Sequence, residues 1–203
     1  MVKVKICGIQ RFDDIEYINE LQPDYAGFVF ANSKRQIDMY KSWELIKKLN
    51  SSIKTVGVFV NEDIDKVINI ASFLNLNVLQ FHGDETPEYI EKFKIYTVWK
   101  ALHVKSKDDL TDINLYNTDA ILLDSSANGM YGGTGQCFDW DIIKGLKANR
   151  PLIIAGGLNE YNVRMAAQEL NPFAVDVSSS VETDGYKDFN KIKKFIDKAR
   201  GII

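Results

Sequence analysis

The sequence predicts an α/β fold in which a single (β/α)8 TIM barrel takes up the whole chain, residues 1–203. Eight short apolar runs rich in β-branched residues recur along it, which is typical of parallel strands buried on both faces. Amphipathic stretches lie between these runs, and strand–helix alternation over about 200 residues is typical of a barrel of nearly minimal length. A doubly wound open sheet is the competing architecture, because periodicity alone does not show that the sheet closes.

Each predicted element rests on its own hydrophobic pattern. The strands are predicted at 2–6, 25–30, 53–60, 78–81, 95–101, 120–123, 152–155 and 173–177. Helical faces are predicted where apolar residues lie three and four positions apart, with Asn61 as a possible cap of the second face and a last helix over 188–200. The residues assigned to these faces are Met39, Trp43, Ile46, Leu49, Ile64, Val67, Ile68, Ala71, Ile192, Phe195 and Ile196.

Composition limits the classes of partner. The chain is 45% apolar and 26% charged, as in globular domains, and its net charge of −3 gives no reason to expect nucleic acid. No apolar run approaches the ~18 residues of a membrane span. Cys7 and Cys137 lack the paired spacing of zinc or redox motifs, so no metal site is predicted, and two free thiols indicate a reducing compartment. We expect a cytoplasmic protein, monomeric or homodimeric, without a membrane or nucleic-acid partner.

Reactive residues follow the predicted strands, where the chemistry of a barrel is located. They are Cys7, Gly8, Ser33, Lys34, Arg35, Asn61, His82, Gly83, Asp84, Asp124, Gly156, Gly157, Ser178, Ser179 and Ser180. The end of the fifth strand, near His103, is less distinctive. Polar groups gathered at one end of otherwise apolar strands predict a single ligand pocket.

The loops after the last two strands form a candidate phosphate site. Gly156 and Gly157 would let backbone N–H groups approach an anion, and Ser178 and Ser179 add hydroxyl and backbone donors. The alternative is a tight turn before a helix capped near Asn159. The serines one strand later favour phosphate, which barrels often bind at these two loops.

Cys7 and Asp124 are a candidate base and acid. Cys7 ends the first strand, where a thiolate could act as a base if its pKa lies near working pH. Asp124 ends an apolar strand, where a carboxyl group either forms a turn or donates a proton with a raised pKa. The bland alternative for Cys7 is a structural thiol, and the placement of Lys3 and Lys5 relative to it stays open.

Three further residues are candidates for substrate contact. Arg35 could hold a carboxylate in a bidentate pair or lie at the surface. His82 could contact substrate or shape its own turn, and Asp176 lies inside an apolar strand and needs a partner. The glycine cluster at 132–135 lacks the spacing of nucleotide-binding loops and is predicted to be a mobile closing loop, while Cys137 is predicted to be structural.

Together these segments resemble the phosphoribosylanthranilate isomerase family of tryptophan biosynthesis. The similar stretches are KICGI at 5–9, GFVF at 27–30, SKR at 33–35, VFVN at 58–61, LQFHG at 79–83, LLD at 122–124, GGTG at 132–135, FDW at 138–140, AGGL at 155–158 and VDVSS at 175–179. They run in the family's order over nearly the whole chain. Two residues depart from the pattern: Ser180 stands where glycine is usual, and Gln10 where threonine is frequent.

The resemblance implies a barrel of the ribulose-phosphate-binding type and an Amadori rearrangement of a phosphorylated sugar–anthranilate substrate, without cofactor. It implies Asp124 as general acid, Cys7 as general base, Arg35 at the anthranilate carboxylate, and His82 and Asp176 as supporting groups. It also implies a phosphate site at the glycine and serine loops. Two alternatives stay open: a histidine-pathway phosphoribosyl isomerase, which resembles a two-aspartate solution, and a non-catalytic phosphosugar-binding barrel.

Overall fold

A computed structural model describes residues 1–111, 113–124, 142–146 and 148–202. Eight parallel strands form a closed barrel in chain order, and β1 pairs with β8 to close it. The strands are β1 Lys3–Cys7, β2 Tyr25–Val29, β3 Lys54–Phe59, β4 Val78–Phe81, β5 Val98–His103, β6 Ala120–Asp124, β7 Leu152–Ala155 and β8 Ala174–Val177. The α-helices are α1 Phe12–Leu21, α2 Met39–Ile46, α3 Ile64–Leu74, α4 Pro87–Ile90, α5 Val163–Leu170 and α6 Phe189–Arg200. A two-stranded hairpin, β9 Glu182–Thr183 and β10 Tyr186–Lys187, follows β8.

Strand alternation divides the core into two parts. One face of each strand packs against the helices, and the other points into the barrel. The rings of Tyr25 on β2 and Trp99 on β5 meet edge to face at 4.8 Å, a contact that non-neighbouring strands make only through the interior. Apolar residues near the strand starts therefore fill the lower barrel, and the polar inward-facing residues lie above them at the carboxyl end.

The strand predictions are confirmed in number and order, and the open sheet is wrong because β1 pairs with β8. The bounds of β4 and β7 are as predicted, whereas β5 starts at Val98 and not at 95. Ile95 is 84% exposed, and the next residue, Tyr96, donates its backbone N–H to the Phe93 carbonyl at 2.8 Å. The first residues of the predicted run therefore belong to this turn and not to β5.

The last helix is confirmed, with Asp188 as its N-cap, but three details of the earlier helices were wrong. Trp43 lies on the outer face of α2, where Ser42 and Leu45 are the buried residues, and the Ser42 hydroxyl donates to the Asp38 carbonyl. In α3 the cap is Asp63, whose carboxylate accepts two backbone N–H groups, and not Asn61. Ile68 is partly exposed, while Ile70 and Leu74 complete the buried face.

The alternation of strands and helices is incomplete after β5. Two 3-10 turns, Lys107–Leu110 and Ile113–Leu115, replace the expected helix there. The connection after β6 includes 125–141, so the predicted loop at 132–135 and Cys137 lie outside the described residues. Among the described helices, none is long and apolar enough to cross a membrane.

Candidate functional site

A buried ion pair lies beneath the mouth of the barrel. Lys5 and Cys7 are two residues apart on β1 and therefore point to the same side, into the barrel. Lys5 Nζ donates to Asp176 Oδ1 on β8 at 3.0 Å, and the two side chains are 0% and 9% exposed. Asp176 thus has the partner that its burial requires, and Lys5 is placed next to the candidate base.

The surroundings of Cys7 act on its pKa in opposite directions. Burial raises the pKa of the thiol above its ordinary value, and the nearby Lys5 ammonium partly offsets this. Burial lowers the pKa of Lys5, but the charges of Asp176 and Cys7 and their hydrogen bonds to Lys5 together outweigh burial and raise that pKa above its ordinary value. Gly27 on β2 leaves room for the thiol, because a Cβ there would lie 2.8 Å from Cys7 Sγ.

Asp124 meets two histidines on the other side of the mouth. His82 Nε2 lies 3.1 Å from Asp124 Oδ2, and His82 Nδ1 lies 3.1 Å from Gln80 Nε2. His103, the residue paired with Asp124 across β5 and β6, has its ring 5.3 Å from that of His82. The structure therefore places His82 beside Asp124 at the mouth of the barrel.

The Asp176 carboxylate connects the base candidate with the acid candidate. Its charge acts on the pKa of Cys7, and the charges of His82 and Asp124 act on its own pKa. β1 and β6 are separated by β7 and β8, so Cys7 and Asp124 approach the space above Asp176 from different sides. The geometry suits a small ligand held between a thiol and a carboxyl group.

Arg35 forms a bidentate pair with a carboxylate, as its residue type predicts, but that carboxylate belongs to Glu182. Its Nε and Nη2 donate to Glu182 Oε1 and Oε2 at 2.7 and 2.8 Å. Lys187 Nζ also reaches Glu182 at 2.7 Å. Burial opposes the Glu182 charge, but the hydrogen bonds and charges of Arg35 and Lys187 leave the pKa of Glu182 below its ordinary value.

The hairpin that supplies Glu182 and Lys187 turns at Asp184 and Gly185, both with positive φ. Arg35 itself lies over Gly8, where an added Cβ would come within 2.4 Å of its Cδ. The Arg35 side chain therefore lies beside Gly8, directly after the end of β1.

The two loops of the candidate phosphate site lie side by side. Gly156 and Gly157 both have positive φ, at 79° and 66°, which a residue with a side chain rarely adopts. The Ser180 hydroxyl donates to the Leu158 carbonyl and so links the loop after β8 to the loop after β7. Ser178 Oγ donates to the Cys7 carbonyl at 2.9 Å, and Ser179 starts the following 3-10 turn. The helix after the glycines starts only at Val163, with Asn162 as its cap residue, so the cap predicted near Asn159 was placed too early.

Residues 61 and 83 have a structural role in the loops after β3 and β4. Glu85 is buried, and it accepts hydrogen bonds from the Asn61 and Gly83 backbone N–H groups and from Lys100 Nζ at 2.8, 2.9 and 2.9 Å. The Asn61 side chain in turn accepts the Asp84 N–H. This network fixes the backbone next to His82, and the sequence analysis missed it.

The sequence analysis left the placement of Lys5 open and did not single out Gln80, Glu182 or Lys187, although two signals pointed to them. The spacing of two along β1 places Lys5 beside Cys7. The Asp184-Gly185 pair is a strong hairpin signal and would have brought Glu182 and Lys187 to the mouth. Gln80 has the same signal, because it lies two residues before His82, which its side chain contacts. His103 carries no such signal, because only the register of β5 and β6 brings it to Asp124.

Comparison with known proteins gives the family. The family model for N-(5'-phosphoribosyl)anthranilate (PRA) isomerase matches residues 4–198. An N-(5'-phosphoribosyl)anthranilate isomerase of Thermoanaerobacter sp. (strain X514) is 57% identical over 202 residues, 100% of both chains. The enzyme of that name from Clostridium acetobutylicum is 53% identical over 202 residues and 98% of both chains.

Solved structures agree with this result. Phosphoribosyl anthranilate isomerase from Thermotoga maritima superposes with a TM-score of 0.92 at 41% identity, over 99% of this chain and 100% of that one. A phosphoribosyl anthranilate isomerase in complex with reduced 1-(o-carboxyphenylamino)-1-deoxyribulose 5-phosphate superposes with a TM-score of 0.85 at 38% identity, over 99% of this chain and 100% of that one. The chain therefore belongs to the phosphoribosylanthranilate isomerase family.

Proposed function

We propose that the chain catalyses the Amadori rearrangement of N-(5'-phosphoribosyl)anthranilate to 1-(2-carboxyphenylamino)-1-deoxyribulose 5-phosphate in tryptophan biosynthesis. The observation that carries this proposal is the pairing of a buried thiol with a His-linked carboxyl group at one barrel mouth, in a chain of this family. The reaction is an internal redox isomerisation, and the substrate nitrogen serves as its own electron sink.

Asp124 is the proposed general acid. It gives a proton to the furanose ring oxygen as the bond from that oxygen to C1 breaks, and the nitrogen lone pair forms the C1=N bond of an iminium ion. Its hydrogen bond to His82 Nε2 at 3.1 Å orients the carboxyl group, and the His82 tautomer sets which of the two atoms carries the proton.

Cys7 is the proposed general base. Its thiolate removes the proton from C2, which is acidic because the adjacent iminium ion withdraws electrons. The C2–H electrons form the C1=C2 bond, and the C=N electrons return to nitrogen. The resulting enolamine then gains a proton at C1 and loses the proton of its C2 hydroxyl, which gives the ketone.

The remaining candidates are proposed to hold the substrate. The Arg35 fork already binds a carboxylate in this structure, so the anthranilate carboxylate would exchange with Glu182 or share the fork. His82 and Asp176 would contact the sugar, and Gly156, Gly157, Ser178 and Ser179 would bind the phosphate. Binding energy from this distant phosphate can position the reacting carbons.

The experiment is turnover of freshly generated phosphoribosylanthranilate, followed by the loss of its anthranilate fluorescence and by coupling the product to indoleglycerol phosphate synthase. Enzyme-dependent decay with coupled product is the expected result. Turnover of the histidine-pathway substrate alone, or binding of a phosphosugar without turnover, would support one of the two alternatives instead.

Three further features of the proposal concern the whole protein. One barrel carrying the entire activity over residues 1–203, a cytoplasmic location, and a monomeric or homodimeric state are all predictions. A related protein of Thermotoga maritima is described as a dimeric enzyme from which monomers were made, at 40% identity to this chain. Sedimentation of the purified protein tests the oligomeric state.

A further inference from the structure

We propose that His82, His103 and Asp124 form a binding site for a divalent transition metal ion at the mouth of the barrel. Zn²⁺ is the ion that suits this site best. Each residue offers one ligand atom, and the three atoms all lie within 4.8 Å of one another. Two imidazole nitrogens and one carboxylate oxygen are a common ligand set of zinc sites that keep a fourth position open.

The geometry requires only a small adjustment. Ligands about 2.1 Å from a tetrahedral zinc ion lie roughly 3.4 Å from one another. His82 Nε2 and Asp124 Oδ2 are already 3.1 Å apart, so the larger separation involves His103. His103 is exposed at the end of β5 and can turn towards its register partner Asp124 without disturbing the core.

Gln80 supplies an independent observation. Its side chain is buried at 1% exposure, and its Oε1 atom has no hydrogen-bond partner within the part of the chain that the structure describes. When His82 Nε2 binds a metal ion, the ring proton resides on Nδ1. That N–H can donate to Gln80 Oε1 once the amide turns over, and the amide nitrogen then takes the position that the oxygen held. A hydrogen-bond acceptor of this kind typically orients a metal-binding histidine.

The metal ion would occupy the groups that the proposed reaction uses, so it acts as an inhibitor of the isomerase. This consequence rests on the proposed function, because it assigns Asp124 the role of acid. The binding site itself does not depend on that assignment. Binding is therefore measured directly, and inhibition is measured separately.

The test is isothermal titration calorimetry, in which ZnCl2 is added to the whole purified protein. Bound metal is first stripped with a chelator, and the chelator is then removed. Absorption spectra of the Co²⁺-loaded protein report on the coordination. A Cys7→Ser/Cys137→Ser background removes both thiols and is expected to retain zinc binding. On that background, His103→Gln is expected to weaken zinc affinity by more than about tenfold, and Gln80→Met by about tenfold. Asp84→Asn, which removes an exposed carboxylate next to His82, is the matched control and is expected to retain the affinity.

Two results would overturn the metal site. One is zinc affinity that His103→Gln leaves unchanged, and the other is equal weakening by Asp84→Asn, which indicates diffuse attraction to negative charge. Zinc binding that depends on His103 in a protein without isomerase activity would refute the proposed function and keep the site. If the parent protein is active, the His103→Gln variant is expected to turn over substrate in the absence of metal and not to be inhibited by zinc.

Discussion

In its proposed role as base, the Cys7 thiol must lose its proton in surroundings that disfavour negative charge. Burial alone would keep it protonated, and the Lys5 ammonium is the first of the groups that oppose this. Lys5 can stay charged inside the barrel because Asp176 pairs with it at 3.0 Å. The reactivity of the thiol is therefore set by a pair of charges beneath it as well as by its own position.

Removal of either proposed proton-transfer group should abolish most turnover. We expect Cys7→Ala and Asp124→Asn each to lower kcat by about 10²–10⁴-fold, because general acid and base terms have this size. Circular dichroism should show an intact fold for both variants. The control is Asp65→Asn, an exposed carboxylate in the first turn of α3. Turnover of Cys7→Ala close to that of the parent protein would refute its role as base.

Removal of the Lys5 charge should shift the pH dependence of the reaction. The base works as a thiolate, so the rate rises with pH through the pKa of Cys7. Lys5 lowers this pKa and Asp176 raises it. We therefore expect Lys5→Met to move the rising limb of the kcat/KM profile to higher pH. A limb that Lys5→Met leaves in place or moves to lower pH would refute this electrostatic account.

At the level of elements, the loop after β4 is fixed by a buried ion pair outside the barrel. Lys100 Nζ lies 2.9 Å from Glu85 Oε2, and both side chains are 1% exposed. Glu85 also holds two backbone N–H groups of the neighbouring loops. The backbone next to His82 thus depends on a charge pair that lies outside the barrel.

Removing only the lysine of the Lys100–Glu85 pair should lower the free energy of unfolding more than removing both charges. Lys100→Met leaves the Glu85 charge buried and unpaired, so we expect a loss of about 3–5 kcal/mol in the free energy of unfolding. The matched variant is Glu85→Gln/Lys100→Met, in which the amide oxygen can still accept the loop N–H groups, and it should recover part of the loss. Urea denaturation measures both. A double variant less stable than Lys100→Met would show that the charge itself is needed.

The sequence predicted the elements where a single pattern determines them. β4 is a short, mostly apolar run between Asn77 and His82, β7 is an apolar run between Pro151 and Gly156, and the limits of both were correct. The start of β5 was wrong because Ile95 is an apolar residue in an exposed turn, and Trp43 was wrong because helical spacing alone cannot tell which of two apolar stripes faces the barrel. The candidate site residues were found by their position after strands. Their pairing was not, since Lys5–Asp176 and His82–Asp124 join residues far apart in the chain.

At the scale of the whole molecule, the two ends of the barrel have different tasks. The candidate reactive groups lie at the carboxyl end. The other end contributes to the stability of the fold, because Asp and Asn side chains there link neighbouring strands. The Val4, Thr55 and Val98 N–H groups donate to the side chains of Asp24, Asn77 and Asp119 at 2.9, 2.8 and 2.8 Å. Each acceptor directly precedes β2, β4 or β6. Before β8 the position is Phe173, which bonds to Leu152 through its backbone alone.

This division predicts variants that lose stability without losing activity. Asp24→Ala, Asn77→Ala and Asp119→Ala should each lower the free energy of unfolding by about 1 kcal/mol, since each leaves a strand N–H without its acceptor. The three sites lie in separate strand pairs, so the triple variant should lose about 3 kcal/mol. Its kcat/KM well below the unfolding transition should equal that of the parent, because none of these residues reaches the mouth. Urea denaturation and turnover measured on the same sample check both parts. A folded triple variant with reduced kcat/KM would show that the two ends are coupled, whereas Cys7→Ala should show the reverse pattern, with stability kept and turnover lost.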